Sequence, residues 1–262
     1  MTSSSNTRST AVPPGKLYRR DQPAAICRQR FVHAEAGLQF LDCAEYELPP
    51  GGVSQPVSLP GRESLLFLWK GSAICRVEGA EYALARYDTL YVPRGAPFSL
   101  RNDAEEPARL FQTSAPAERA HPVFHSPFAE FSQREERIRR LAGKTVYLMF
   151  DIGESADKLV AGYTFFEPYA RSWPPHNHTD QEETYIFIEG RGAMEVYESP
   201  ETLTFVHSVE AGDLVTIPML NYHPVFSQQE PLVFIWCIAG ERYWVGDKNK
   251  SFLTGKTGPL TT

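Results

Sequence analysis

The chain has 262 residues, enough for one large domain or for two of about 125, each able to bury its own core. With 42% hydrophobic and 22% charged residues it has the make-up of a globular protein. A net charge of −6 speaks against a nucleic-acid partner, and no run approaches the ~18 consecutive apolar residues of a membrane span.

In chain order, Met1 to Gly15 is rich in Ser, Thr and Pro without an apolar core, and reads as a disordered tail rather than a signal peptide. Residues 1–30 are expected to form a flexible tail and arm. Residues 31–120 carry short apolar runs such as Leu65–Trp69 and Thr89–Val92, each bounded by turn residues. Runs of 4–6 such residues predict β-strands. Between 121 and 143 the pattern changes. Phe128, Phe131, Ile138 and Leu141, with charges between them, predict one connecting helix over 128–141, its Arg134–Arg140 stretch interleaved with Glu135 and Glu136 as a solvated face. Residues 144–262 return to strands, including Thr184–Ile188 and Leu232–Trp236. Cys27, Cys43, Cys75 and Cys237 are scattered without CxxC spacing, as expected of reduced thiols in a cytoplasmic protein.

The segment Pro174-Pro175-His176-Asn177-His178-Thr179-Asp180-Gln181-Glu182-Glu183 carries the chemistry. Side chains alternate along extended backbone, so His176 and His178 point the same way. Glu183 follows on the next strand, and His223 arrives from a later one. Three imidazoles and a carboxylate suit one divalent transition metal (Mn, Fe, Zn, Ni or Co) and leave positions open for substrate. His33, His121, His125 and His207 fall outside this spacing and read as surface or loop residues.

An internal repeat organises the chain. Arg86–Phe98 lies over Ala211–His223 at a constant offset of 125, and upstream Glu63 and Gly71 correspond to Glu183 and Gly190. The histidine positions hold Pro56, Ser58 and Phe98 in the first copy, with Glu63 the only ligand type retained. The first copy is therefore expected to be metal-free and the second metal-bearing.

These residues resemble the cupin superfamily. His176, His178, Glu183 and Gly190 match its first motif, with Ala170 in place of the leading glycine. Gly212, Pro218 and His223 match its second, with Leu220 replacing the internal glycine and Ser227 the terminal asparagine. The fold implied is all-β, two tandem cupin (jelly-roll) barrels with one connecting helix. The expected divisions are a metal-less cupin over 31–120, a helical linker over 121–143 and a metal-binding cupin over 144–262. Leu220 lacks glycine's freedom at positive φ, so the turn before His223 is expected to differ in shape.

Within that superfamily the chain is similar to the 5-deoxy-glucuronate isomerases and the 4-deoxy-5-hexosulose-uronate ketol-isomerases. Ser172–His178, Tyr222–Val225, Val92-Pro93-x-Gly95, Ser114–Glu118 and Gly240-Glu241-Arg242-x-Trp244 carry the likeness. The inositol-pathway enzymes have a longer insert between the second His and the Glu, where this chain holds only Thr179 to Glu182. The resemblance implies a metal-dependent aldose–ketose isomerase of a uronate-type sugar acid, working through an enediolate. Alternatives are a mononuclear-metal dioxygenase or decarboxylase, or a small-molecule-binding bicupin without turnover. The partners expected are a small-molecule sugar acid and further copies of the chain, with neither nucleic acid nor membrane.

A general base and a cation for the substrate carboxylate remain to be placed. Glu195, Tyr185 and Tyr222 are the catalytic candidates, with metal-bound hydroxide and Glu182, whose parity on its strand predicts a solvent-facing side chain. Arg242 and Arg171 are candidate carboxylate partners, and Trp173 a stacking platform. Arg191 is a further cation in a Gly-Arg-Gly turn.

Overall fold

The alternating apolar runs fold as strands in two successive units, in a computed structural model that describes residues 14–19 and 26–243. The chain opens with β1 (Lys16–Tyr18). The first unit follows as β2 (Cys27–Phe31), a short helix α1 (His33–Ala36), β3 (Asp42–Leu48), β4 (Arg62–Lys70), β5 (Ala73–Val77), β6 (Ala80–Leu84), β7 (Thr89–Val92), β8 (Phe98–Arg101) and β9 (Ala108–Pro116). The connection holds β10 (Phe124–Ser126), α2 (Phe128–Phe131), a 3-10 turn at Glu135–Arg137 and β11 (Ile138–Leu141). The second unit comprises β12 (Lys144–Phe150), β13 (Leu159–Phe166), β14 (Gln181–Glu189), β15 (Arg191–Ser199), β16 (Thr202–Glu210), β17 (Leu214–Ile217), β18 (Val225–Ser227) and β19 (Leu232–Gly240).

Each unit pairs a large antiparallel sheet with a three-stranded one. The first has the order β10-β7-β4-β9-β3-β2 over β6-β5-β8, the second β1-β17-β14-β19-β13-β12-β11 over β16-β15-β18. Strand alternation divides the apolar residues among three cores. Leu66 and Leu68 fill the first unit with Tyr46 and Leu100. Tyr185 and Phe187 fill the second with Phe234 and Val196. The opposite faces, including Leu65, Phe67, Ile186 and Ile235, meet in a third core between the units. Tyr91 stacks on Phe150 there, ring centres 4.9 Å apart.

The units also exchange arms. β1 precedes the first unit but pairs with β17 of the second, Lys16 opposite Thr216. β10 precedes the second unit but pairs with β7 of the first, Phe124 opposite Tyr91. Part of the expected flexible arm is thus ordered strand. Residues 1–13 of the expected tail, and Trp244 of the closing motif, lie outside the described residues.

Two expectations need correction. The connection is not one continuous helix. Helix α2 is only 4 residues long, and Ile138–Leu141 pairs with β12 as a strand, Ile138 opposite Tyr147. The spacing that read as helical reflects Phe128 and Phe131 packed against the core between the units and Leu141 exposed. The repeat register is also one residue off in β4. Val92 pairs with Ser64 in the first unit, and its counterpart Ile217 pairs with Glu183 in the second. Ser64 therefore occupies the position of Glu183, and Glu63 that of Glu182. No helix of the described residues is long and apolar enough to cross a membrane.

Candidate metal centre

His176 and His178 lie in the irregular stretch between β13 and β14, and alternation puts Asn177 on the opposite side. The Asn177 Nδ2 donates to the Leu220 carbonyl at 3.0 Å, and the Leu220 N–H donates to the His178 carbonyl at 2.7 Å. The segment bearing two histidines is thereby tied to the turn that presents His223. Leu220 adopts φ 67° there, matching φ 70° at Gly95 in the first unit. The turn keeps its left-handed shape despite leucine, contrary to expectation; hydrogen bonds from both sides hold a conformation that costs an L-residue about 1–2 kcal/mol.

His176, His178, Glu183 and His223 each present a ligand atom, all within 4.8 Å of one another. One carboxylate oxygen of Glu183 lies 3.1 Å from Nε2 of both His178 and His223. The Nδ1 of His223 is 2.9 Å from the Asn221 carbonyl, which can only accept. That contact puts the proton on Nδ1 and leaves the lone pair of buried Nε2 facing a carboxylate oxygen without a hydrogen bond. Two opposed acceptors are satisfied by a cation between them, whether a second proton or a metal ion. The donor set therefore fits a divalent metal, with borderline nitrogen and hard oxygen ligands.

Burial works to raise the Glu183 carboxyl, but the His178 hydrogen bond, with the His223 imidazole alongside, outweighs it and holds it down at about 2. Burial pushes the His176 imidazole well below its usual value, helped by His223, His178 and Lys144. Both groups stand in the deprotonated form that ligation requires. Burial, reinforced by Glu183, lifts the Tyr185 phenol far above 10, so it keeps its proton.

His176, His178 and Glu183 of this cluster line a cavity of about 450 Å³. Tyr185, Arg171 and Trp173 border it, as does Trp236, whose indole N–H has no partner among the described residues. The remaining candidates are elsewhere. Glu195 alternates with inward-facing Met194 and Val196, and its carboxylate accepts from the Tyr197 hydroxyl at 2.6 Å. Tyr222 is buried outside the cavity lining, its backbone bridged to Tyr197. Arg242 donates to the carbonyls of Leu159 (3.0 Å), Glu154 (2.7 Å) and Asp151 (2.5 Å), which commits it to the loop before β13. Arg191 is exposed and pairs with Glu210 at 3.5 Å. Glu182 is not solvent-facing: it is 1% exposed and accepts backbone N–H groups from Gln39, Phe40 and Leu41. Of the histidines outside the motif, His207 is exposed, while His33, His121 and His125 sit beside Asp42, Asp157 and Asp88.

Sequence reasoning missed Arg139 and Lys144, which also border the cavity. Reading 128–141 as helical hid them, because only the hairpin of β11 and β12 brings both to one wall. In the first unit Phe98 stands at the His223 position, and Ser64 accepts from Gln112 at 3.0 Å where Glu183 would be. Among the described residues, the four-residue cluster belongs to the second unit alone.

The model of the KduI/IolB family matches residues 17–252. The 4-deoxy-L-threo-5-hexosulose-uronate ketol-isomerase of Lacticaseibacillus casei (strain BL23) is 26% identical over 191 residues, 66% of this chain and 65% of that protein. The chain thus spans slightly less than two thirds of that relative's length. The 4-deoxy-L-threo-5-hexosulose-uronate ketol-isomerase 1 of Rhizobium meliloti (strain 1021) is 28% identical over 210 residues, covering 73% and 71%. Among solved structures, an IolB-like protein from Salmonella typhimurium LT2 superposes with a TM-score of 0.73 at 21% identity, covering 87% of this chain and 94% of the other. A mutant of Bacillus subtilis oxalate decarboxylase superposes with a TM-score of 0.68 at 17% identity, covering 90% and 79%. At those identities the two structures establish the cupin fold alone.

Proposed function

The chain belongs to the KduI/IolB family, and we propose that it is a divalent-metal-dependent aldose–ketose isomerase acting on a uronate or deoxy-uronate sugar acid. The observation that carries this reading is the cluster of His176, His178, Glu183 and His223, of which the first three line a cavity also bordered by Arg139, Lys144 and Arg171. Its volume of about 450 Å³ is within the range of small-molecule sites and suits one monosaccharide. The curated relatives are named for ketol isomerisation of a deoxy-hexosulose-uronate, which is the same chemistry.

Ketol isomerisation moves a proton between adjacent carbons and shifts a carbonyl to the neighbouring oxygen. His176, His178, Glu183 and His223 would hold a divalent ion (Mn, Fe, Zn, Ni or Co), which when bound would supply Lewis-acid polarisation of that carbonyl. Of the three catalytic candidates only Tyr185 borders the cavity. Its protonated phenol suits hydrogen-bond donation to the developing enediolate oxygen and not removal of the C–H proton. The apolar walls of Trp236, Phe234 and Ile238 exclude water from the intermediate.

The same reading includes a cytoplasmic setting and a homo-oligomer. The four cysteines are free, as a reducing compartment keeps them. Leu203 and Val206 are exposed on edge strand β16, a surface suited to pairing with another copy. The test is proton NMR of the metal-loaded protein in D2O with a panel of uronates and deoxy-uronates. Interconversion with deuterium entering the carbon next to the carbonyl is expected. Failure to convert any of them, or conversion only with oxygen uptake, contradicts the proposal.

A further inference from the structure

Among the described residues, the second unit carries one strand without a counterpart in the first. Matching the large sheets strand by strand sets β17, β14, β19, β13 and β12 against β7, β4, β9, β3 and β2, and the exchanged arm β1 against β10. Among the described residues, nothing in the first sheet corresponds to β11. This extra strand pairs with β12, Arg139 opposite Val146 and Leu141 opposite Lys144. The hairpin thus brings two cations to the wall of the cavity, and Arg171 adds a third.

Among the described residues lining the cavity Glu183 is the sole carboxylate, and it belongs to the ligand cluster. The described lining therefore carries three cationic side chains to one carboxylate, with Asp151 acting on Arg139 from outside it. Low-dielectric walls around charges of one sign focus their field on an incoming anion. Lys144 is also held in place: its Nζ donates to the Ser172 hydroxyl at 2.7 Å and lies 5.3 Å from the centre of the Phe166 ring. Ser172 is four residues before His176, so this cation is fixed relative to the cluster. Arg139 is half-buried, and its guanidinium can engage two oxygens at once.

We infer that the β11–β12 hairpin is the carboxylate-recognition element of this site, with Lys144 and Arg139 gripping the carboxylate while the carbonyl end of the sugar lies over the histidine cluster. This inference rests on the sugar-acid reading and adds residues to it. The hairpin selects acidic over neutral sugars and fixes which end of the chain meets the cluster.

Calorimetric titration of the metal-loaded protein with D-glucuronate and with D-glucose tests it, with metal content measured on every sample. Wild type should bind glucuronate at least about tenfold more tightly than glucose, and the margin should shrink with added salt. Lys144→Met and Arg139→Gln should each lose about tenfold or more for glucuronate, leave glucose unchanged and keep their metal. Lys144→Arg should restore most of the lost affinity. Wild-type preference for glucuronate that survives in both variants overturns the assignment of the hairpin. Wild type with no preference for glucuronate overturns the sugar-acid reading itself, and the hairpin's role with it.

Discussion

Glu63 and Glu182 are reciprocal anchors: each is a buried carboxylate that accepts three backbone N–H groups from the opposite unit. Glu63 takes Asp157 (2.9 Å), Lys158 (2.7 Å) and Leu159 (3.1 Å). Glu182 takes Gln39 (2.6 Å), Phe40 (2.8 Å) and Leu41 (2.7 Å). Such charge-assisted bonds are among the stronger ones a fold makes. The pair lies across the pseudo-symmetry of the repeat, but only Glu182 adjoins a candidate metal ligand, Glu183.

Removing either anchor leaves three N–H groups without that acceptor, one of them fully buried. Glu63→Ala and Glu182→Ala are each expected to lower the unfolding free energy by about 2–4 kcal/mol. Only Glu182→Ala should also weaken metal binding, because β14 carries Glu183 on its other face. Urea unfolding and chelator competition measure the two effects. Equal metal affinity in both variants counts against the coupling.

Asn177 ties the histidine segment to the turn before His223 through the Leu220 carbonyl. Asn177→Ala is expected to reduce metal affinity by about 10- to 100-fold, as loss of groups that orient ligands does. Both histidines and the fold should survive. Chelator competition on the purified variant is the measurement, and wild-type affinity there would show that the tie is dispensable.

Acid should destabilise the metal-free protein through His176 and Glu183. Both are held below their usual values in the folded state, so the unfolded chain takes up protons first as pH falls. Their stabilising contribution is complete above about 6.5. The His176 part is lost as pH falls below that value, and the Glu183 part as it falls from about 4.5 towards about 2. In urea unfolding from pH 8 to 5, the difference between wild type and His176→Asn should change in this direction. A difference that does not vary with pH contradicts the account.

Gly162 lies where a Cβ would come within 2.0 Å of the Tyr147 carbonyl oxygen and 2.6 Å of the Trp236 ring. Gly162→Ala should therefore displace the indole that borders the cavity and cost about 1–3 kcal/mol of stability. The expected result is a lower thermal midpoint and a changed Trp236 environment by fluorescence. An unaltered midpoint would mean that the sheet opens without strain.

Much of the fold was legible because strand alternation leaves a strong mark: Leu66 and Leu68 inward against Leu65, Phe67 and Trp69 outward. The histidine spacing was equally legible, since His176, Asn177 and His178 alternate as extended backbone demands. Glu182 was misread because parity tells only which face of the sheet a residue takes. It cannot tell that a second unit covers that face. Arg139 and Lys144 escaped for a related reason: Phe128, Phe131, Ile138 and Leu141 satisfy helical spacing, yet pairing with β12 makes the last four residues of that segment a strand. Arg242 looked available as a cation, but carbonyls of the 151–159 loop, distant in sequence, engage it.

The second unit alone should hold a divalent metal, through His176, His178, Glu183 and His223. Elemental analysis of wild type and of His178→Ala, with circular dichroism as the fold control, tests it most directly. Wild type should carry stoichiometric metal and the variant only background metal, with an unchanged β-sheet spectrum. Undiminished metal in folded His178→Ala, or wild type that takes up none when supplied, would contradict it.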